Sequence, residues 1–128
     1  MMARNLVVLT LLMTVSGVGA AADRVKLTGV ELAERYSKYE VITGLSYDSK
    51  VSWMIVAYSD GTRDMYWNDG ITSAIDSGTY RIVGNQWCVV WRNIFLGEER
   101  CYDIYRTGPG KYESWRNGAI TDRYIKIR

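Results

Sequence analysis

Apolar and polar residues alternate over short stretches along most of the chain, which predicts β-strands. About eight segments of this kind are rich in β-branched and aromatic residues. They cover residues 39–46, 51–58, 63–67, 78–83, 86–91, 100–106, 111–115 and 120–127. In the second segment both alternating faces are apolar, which predicts a strand covered on both sides. Residues 71–77 have no clear pattern, and we interpret them as a connection.

Turn sequences separate these segments at regular, short intervals. Asp-Gly pairs stand at residues 60–61 and 69–70, and an Asn-Gly pair, typical of a type I′ hairpin turn, stands at 117–118. This spacing predicts an antiparallel meander. A meander of about eight strands can close into a barrel of the lipocalin or streptavidin kind, which leaves no exposed edge. A β-sandwich is the less favoured alternative.

One short segment before the first strand has the features of a helix. Thr28 is followed three residues later by Glu31, the pattern of a capping box. Leu27 and Leu32 stand where a hydrophobic staple would form. We therefore predict a helix from Thr28 to about Lys38, whose charge suits the negative helix end. The predicted fold class is all-β with a small N-terminal helix.

The start of the chain has a different pattern from the rest. Arg4 is followed by an apolar run over residues 6–15 and then by small residues, as in a secretory signal peptide. The run is too short to cross a bilayer, which takes about 20 residues. We predict a signal peptide over residues 1–22 and a single barrel-like domain over 23–128, located in the bacterial periplasm or secreted, with no stable membrane span after cleavage. An uncleaved membrane anchor is the alternative.

The chain has two cysteines, and their spacing fits a hairpin. If the chain turns about Ile94 and Phe95, Cys88 lies opposite Cys101, at a distance that suits a disulfide. Such a bond would stabilise the domain by about 3 kcal/mol in the loop-entropy model. A redox site is the weaker interpretation, because redox cysteines usually stand closer together. Metal binding lacks ligands, because the chain has no histidine.

Short aromatic motifs surround the two cysteines. A Gly-Thr-Tyr strand leads to a Gly-x-x-Trp-Cys strand, and the second cysteine precedes a tyrosine. The positions are Gly78, Thr79, Tyr80, Gly84, Trp87, Cys88, Cys101 and Tyr102. Over most of the mature chain this pattern resembles a family of small exported proteobacterial proteins of unknown function. The resemblance implies export and a compact β fold, and it implies no activity.

Composition removes several classes of chemistry. Without histidine, a Ser-His-Asp triad and a Cys-His dyad cannot form. No glycine-rich phosphate loop is present, and a net charge of +2 disfavours nucleic acid as a partner. We therefore predict no catalytic residue, no cofactor and no metal site. Asp60, Asp64, Asp69 and Asp103 leave a carboxylate-based glycosidase as a minor alternative, although the first and third precede turn glycines and the others alternate with apolar residues.

Aromatic side chains with a polar tip are abundant: the chain has ten tyrosines and five tryptophans but one phenylalanine. Such rings suit surfaces that are partly apolar and partly wet. The candidate ligand-binding residues are Trp53, Trp67, Trp87, Trp91, Tyr102 and Trp115. For any single ring the alternative is that it fills the interior of a small barrel.

These observations predict an exported binding protein without catalytic activity. Its unknown ligand would be a small apolar or sugar-like molecule in the mouth of the barrel. The alternative is a protein-binding module, such as an inhibitor of an enzyme that attacks the envelope, with Ile94, Phe95 and Leu96 at an apolar hairpin tip as its contact. A structural envelope protein is a third possibility. An empty interior favours the first function, and a packed interior with an exposed tip favours the second.

Overall fold

Eight antiparallel strands close into a barrel in the computed structural model, which describes residues 24–128. A helix, α1 (Gly29–Tyr36), and a two-residue strand, β1 (Val25–Lys26), precede the barrel strands. These are β2 (Glu40–Ser46), β3 (Ser52–Ala57), β4 (Thr62–Asn68), β5 (Ser73–Val83), β6 (Gln86–Trp91), β7 (Arg100–Gly108), β8 (Lys111–Arg116) and β9 (Ala119–Lys126). The predicted all-β class with a small helix is confirmed. The predicted signal peptide, residues 1–22, lies outside the described residues.

The strands follow an up-and-down order. Each barrel strand pairs with the next one along the chain, and β9 pairs with β2 to complete the circle. Strand β1 adds to β7, where Val25 lies opposite Arg106. This closed order confirms the meander barrel rather than the sandwich.

The prediction that residues 71–77 form a connection is wrong. Strand β5 spans Ser73–Val83, and its first residues pair with the end of β4. The buried position in this half of the strand is Asp76, which is 4% exposed, whereas the neighbouring Ile75 is 66% exposed. Because the polar residue is inside and the apolar one outside, the usual alternation gives no sign of a strand here.

The prediction that residues 51–58 are covered on both faces is also wrong. Trp53 and Ile55 face the barrel interior, but Met54 and Tyr58 on the other face are 37% and 38% exposed. None of the described elements packs against the outside of β3, so apolar side chains on that face meet solvent.

The capping box at the start of α1 is confirmed. The Glu31 backbone N–H donates to Thr28 Oγ1 at 3.3 Å, and the Thr28 N–H donates to the Glu31 carboxylate at 3.1 Å. The helix ends at Tyr36, two residues before the predicted Lys38. Leu32 and Tyr36 are its buried side chains, and they turn towards the barrel core.

Helix α1 is fixed across one end of the barrel by close backbone contacts. The Gly29 N–H donates to Asn85 Oδ1 at 2.8 Å, and a Cβ on this glycine would lie 2.1 Å from the Gly84 carbonyl oxygen. Only glycine therefore permits this approach. At the other end of the helix, the Tyr80 hydroxyl donates to the Tyr36 carbonyl at 2.7 Å. The helix thus covers one barrel end.

We refer to the helix-covered end, where Glu40 and Arg63 lie, as the closed end. The opposite end, where Ser46 and Trp67 lie, is the open end. Strands β2 and β4 run from the closed end to the open end, and β3 runs back between them. Among residues 24–128, no helix is both long enough and apolar enough to cross a bilayer.

The predicted disulfide is confirmed. Cys88 on β6 and Cys101 on β7 are directly opposite in the strand register, with Cα atoms 4.0 Å apart. The bond joins the two strands of the hairpin. The predicted type I′ turn is confirmed as well, because Asn117 and Gly118 both have positive φ, at 52° and 77°. Both features set the strand register around the barrel interior.

Candidate functional site

The barrel encloses a cavity of about 490 Å³. This volume lies in the range of small-molecule sites, about 300–1,000 Å³. Five of the six predicted ligand-binding aromatic residues line it, namely Trp53, Trp67, Trp87, Trp91 and Tyr102. Aliphatic and thioether side chains fill the wall between these rings, namely Ile42, Val51, Ile55, Met65, Val89 and Ile104. The interior is therefore partly empty and mostly apolar.

Trp115, the sixth predicted residue, lies outside the cavity. Its ring packs edge-on against Tyr105 at 5.9 Å and lies under the Arg24 guanidinium at 5.0 Å, while its indole N–H donates to Glu113 at 3.1 Å. Strand alternation explains the difference, because the neighbouring Ser114 on β8 is the one that faces the interior.

The predicted apolar hairpin tip is divided between two environments. Ile94 and Phe95 border the cavity at the open end, whereas Leu96 is 99% exposed. The Arg100 guanidinium lies 3.5 Å from the centre of the Phe95 ring and also borders the cavity. Two of the three tip residues therefore belong to the cavity rim, and Phe95 remains 40% exposed there.

Asp76 fixes this rim from inside the sheet. Its carboxylate accepts backbone N–H groups from Ser77 at 2.9 Å, Asn93 at 3.0 Å and Ile94 at 2.7 Å. Burial raises the pKa of Asp76, but these N–H donors outweigh it and hold the pKa below the ordinary value. A buried carboxylate with this many donors is a structural anchor for the rim.

The rim itself has a strained backbone. Phe95 and Leu96 both have φ of 56°, in the left-handed region that non-glycine residues rarely adopt. Such residues cost about 1–3 kcal/mol each and persist where their surroundings hold them. Here the Asp76 hydrogen bonds and the disulfide-linked strands hold the segment on both sides.

At the closed end, Arg35 and Glu40 form a buried ion pair. The Arg35 Nη2 and Nε atoms lie 2.6 and 3.4 Å from the two Glu40 carboxylate oxygens. The guanidinium also lies 3.6 Å from the centre of the Tyr112 ring. Beside it, the hydroxyls of Tyr36 and Tyr124 are 3.3 Å apart. This cluster is well satisfied, and its charges balance.

Arg63 lies next to this cluster and has no such partner. It is 1% exposed, and its three guanidinium nitrogens have no hydrogen-bond acceptor within residues 24–128. Aromatic rings surround it instead, with Cζ 4.8 Å from the Tyr36 ring, 4.4 Å from Tyr80 and 5.1 Å from Trp87. Burial lowers the pKa of Arg63, although arginine stays protonated in proteins. The residue also borders the cavity.

Trp87 carries a second unsatisfied donor in the same place. Its indole Nε1 is buried and has no partner in the described part of the chain. By contrast, the Trp53 Nε1 donates to Asp122 at 3.0 Å. Sequence reasoning missed Arg63, although strand alternation was a usable signal, since it shares the inward face of β4 with Met65 and Trp67.

The four carboxylates considered for glycoside hydrolysis have other positions. Asp60 and Asp69 accept backbone N–H groups in exposed turns, Asp64 accepts from the Tyr58 hydroxyl, and Asp103 pairs with Lys26 on the outside. The structure does not bring them together in the cavity. Cys88, Glu99 and Cys101 lie close enough together to be considered as metal ligands. The two cysteine sulfurs, however, are bonded to each other in the disulfide.

No protein-family model, curated protein or solved structure was found to match this chain. The resemblance to small exported proteobacterial proteins therefore stays a prediction. A closed disulfide is typical of proteins outside the cytoplasm, where thiols are oxidised.

Proposed function

We propose that this protein is an exported binding protein without catalytic activity that holds a small apolar ligand inside its barrel. The observation that carries the proposal is the partly empty, aromatic-lined cavity. The interior of an eight-stranded barrel can be filled by its own side chains, or it can hold one small ligand. Unfilled apolar space costs stability, because the surrounding side chains lose packing contacts. A ligand would restore those contacts.

The volume bounds the size of the ligand. At about 30 Å³ per water molecule, 490 Å³ corresponds to about 16 water volumes, and therefore to a ligand on the order of 15 non-hydrogen atoms. The polar side chains Ser46, Asn117 and Asp122 border the cavity towards the open end, and aromatic and aliphatic side chains form most of the remaining wall. This distribution favours a ligand with an apolar body over a sugar, which needs many hydrogen-bond partners. The predicted export would place the protein in the periplasm or outside the cell.

A fluorescent probe tests the proposal with a matched pair of variants. We expect N-phenyl-1-naphthylamine, an uncharged apolar dye, to bind saturably to one site per chain with enhanced emission. Val89→Phe puts extra volume into the cavity and should weaken binding about 5- to 150-fold, because fitting the dye beside the added ring costs about 1–3 kcal/mol of overpacking. Val90→Phe, one residue along β6 and directed outward, should leave binding unchanged. Absence of saturable binding to the native protein would overturn the proposal.

A protein-binding module, such as an inhibitor of an envelope-attacking enzyme, is the second candidate. Leu96 supports it, because a leucine that is 99% exposed at a rigid tip is a plausible contact. Inhibition of peptidoglycan hydrolases by the native protein, lost in Leu96→Asp while dye binding is kept, would favour this function. A structural envelope role is the third candidate, and no particular contact supports it.

A further inference from the structure

The closed end of the barrel holds one more positive charge than negative charge among the side chains that meet there. Glu40 is paired with Arg35, and it acts only as a neighbouring charge on Arg63. The tyrosines around the two guanidiniums are neutral at ordinary pH. The Arg35–Glu40 pair is neutral, so the unpaired Arg63 leaves the buried side chains at this end with a net charge of about +1.

Such a charge is costly to bury. Charged side chains in protein interiors are normally paired and hydrogen-bonded, and most buried donors have an acceptor. Arg63 has five N–H donors, and the adjacent Trp87 indole has one. All of them lack acceptors in the described region, and both residues border the same cavity. Two neighbouring sets of unused donors indicate that an acceptor belongs there.

We propose that the ligand is an anionic amphiphile whose oxyanion head group binds the Arg63 guanidinium at the closed end. The inference rests on the proposed function, since it identifies the chemical class of the ligand in that cavity. A carboxylate, phosphate or sulfate accepts two parallel N–H bonds from arginine and also balances its charge. The apolar body of the ligand then lies against the tryptophan-lined wall.

The strand geometry sets the orientation of the ligand. Arg63 and Trp67 share the inward face of β4, at the closed and open ends of the cavity. They are four residues apart, which corresponds to about 13 Å along a strand. The head group is therefore innermost and the tail points to the open end. A single chain of about ten carbon atoms fits the volume of the cavity.

Trp87 controls access to the guanidinium. The Arg63 nitrogens are fully buried beneath the surrounding rings, so one ring must turn for the head group to reach them. Tyr36 and Trp87 both border the cavity, but the Tyr36 hydroxyl is tied to Tyr124, whereas the Trp87 indole makes no hydrogen bond in this part of the chain. In this proposal the Trp87 ring, which is held by stacking on Tyr36 but by no hydrogen bond in the described residues, turns and donates its N–H to the head group.

Displacement of N-phenyl-1-naphthylamine measures the preference for an anionic head. Decanoate and decan-1-ol have the same chain length and differ in head-group charge. We expect decanoate to displace the dye from the native protein at about 10- to 100-fold lower concentration, the range given by a charge-assisted hydrogen bond. Monodecyl phosphate should share this advantage, because the head group is recognised as an oxyanion.

Matched variants locate the charge that is responsible. Arg63→Gln should reduce the affinity for decanoate to that for decan-1-ol, with each affinity calculated from the dye affinity measured for the same variant. Arg116→Gln removes the same charge from the open end of the cavity and should change the affinity for decanoate less than about threefold, because Arg116 is only half-buried and solvent screens its charge. If Arg63→Gln does not fold, Arg63→Met takes its place in the same comparison, because a residue without charge at this position should not need a partner in the barrel interior.

The outcomes separate the two proposals. No saturable dye binding to the native protein defeats the binding function and this inference together. Dye binding with equal displacement by decanoate and decan-1-ol leaves the binding function intact and overturns the anionic head group. A decanoate preference that Arg116→Gln abolishes and Arg63→Gln does not would overturn the assignment to Arg63.

Discussion

The two ends of the barrel each bury a charged side chain, and they treat it in opposite ways. Near the open end, Asp76 accepts three backbone N–H groups, and these donors hold its pKa below the ordinary value. Near the closed end, Arg63 has three nitrogens without an acceptor among residues 24–128. The hydrogen-bonding capacity of Asp76 is therefore used within the fold, whereas that of Arg63 is not used by any residue in the described part of the chain.

The contrast is sharper because a satisfied arginine lies beside the unsatisfied one. Arg35 and Arg63 both lie 4.8 Å from the centre of the Tyr36 ring, but Arg35 has the Glu40 carboxylate at 2.6 Å. The closed end therefore can bury a guanidinium together with a carboxylate partner, as the Arg35–Glu40 pair shows. The second guanidinium has three aromatic rings around it and no carboxylate partner within residues 24–128. This difference is the reason why we assign Arg63 to a ligand in the proposal above.

The largest expected effect comes from replacing each of these arginines by methionine. Arg35→Met leaves Glu40 buried without its partner and should cost about 3–5 kcal/mol in the free energy of unfolding. Arg63→Met removes an unpaired buried charge and should raise that free energy by about 1–2 kcal/mol, because we expect the desolvation penalty of the charge to exceed the combined stabilisation from the three surrounding rings. Urea denaturation of the ligand-free proteins measures both values.

The sign of the change in unfolding free energy for Arg63→Met decides whether Arg63 is a ligand-binding or a structural residue. If Arg63→Met destabilised the protein by more than about 2 kcal/mol, the rings would be stabilising the cation and Arg63 would be a structural residue. Binding of N-phenyl-1-naphthylamine to both variants serves as the control for an intact cavity.

A smaller loss is expected from Asp76→Ala. The variant leaves the N–H groups of Ser77, Asn93 and Ile94 without their acceptor, which should cost about 2–3 kcal/mol. The strained positions at Phe95 and Leu96 should then relax, because their anchor is lost. Amide hydrogen exchange should show faster exchange at residues 93–97 and little change around α1. Equal loss of protection at both ends would contradict a local role for Asp76.

Strand pattern and turn chemistry predict the barrel well because they are local properties of the sequence. The Asn-Gly turn at 117–118, the capping box at Thr28 and the cysteine hairpin were each predicted from a few neighbouring residues, and each is confirmed. Alternate residues of a strand point to the same side of the sheet, so Trp87 and Trp91 on β6 could be predicted to share one face and to line a cavity together. Whether an interior is filled or empty depends on the summed volume of all inward side chains, which no local pattern reports.

The two buried charges were missed for a related reason. Asp76 stands in a segment where the exposed residue is Ile75 and the buried one is acidic, so the alternation reads as absent. Arg63 follows the regular alternation, but an arginine in a strand is usually assigned to the solvent face. Trp115 shows the reverse case, because a tryptophan on a barrel strand suggests the interior and this one packs outside. In each case the contacts made across the barrel decide the position.

The smallest expected effect is a pH dependence that only the satisfied charge should show. The pKa of Asp76 is lowered in the folded protein, mainly by backbone N–H donors acting against burial, so its ionised form stabilises the fold above the unfolded pKa of about 3.9. This stabilisation is lost as the pH falls through the folded pKa.

Asp76→Asn keeps a neutral acceptor at the same place and should be less stable than the native protein at pH 7. The stability gap should start to narrow below pH of about 4, where the unfolded carboxyl binds a proton and the folded one does not, and should close as the pH falls through the folded pKa. Urea denaturation at several pH values measures the gap, and comparison with the same variant cancels the contribution of the other acids whose pKa is lowered, such as Asp60 and Asp69. A gap that stayed constant down to pH of about 2 would show that the charge of Asp76 contributes nothing to its anchoring of the rim.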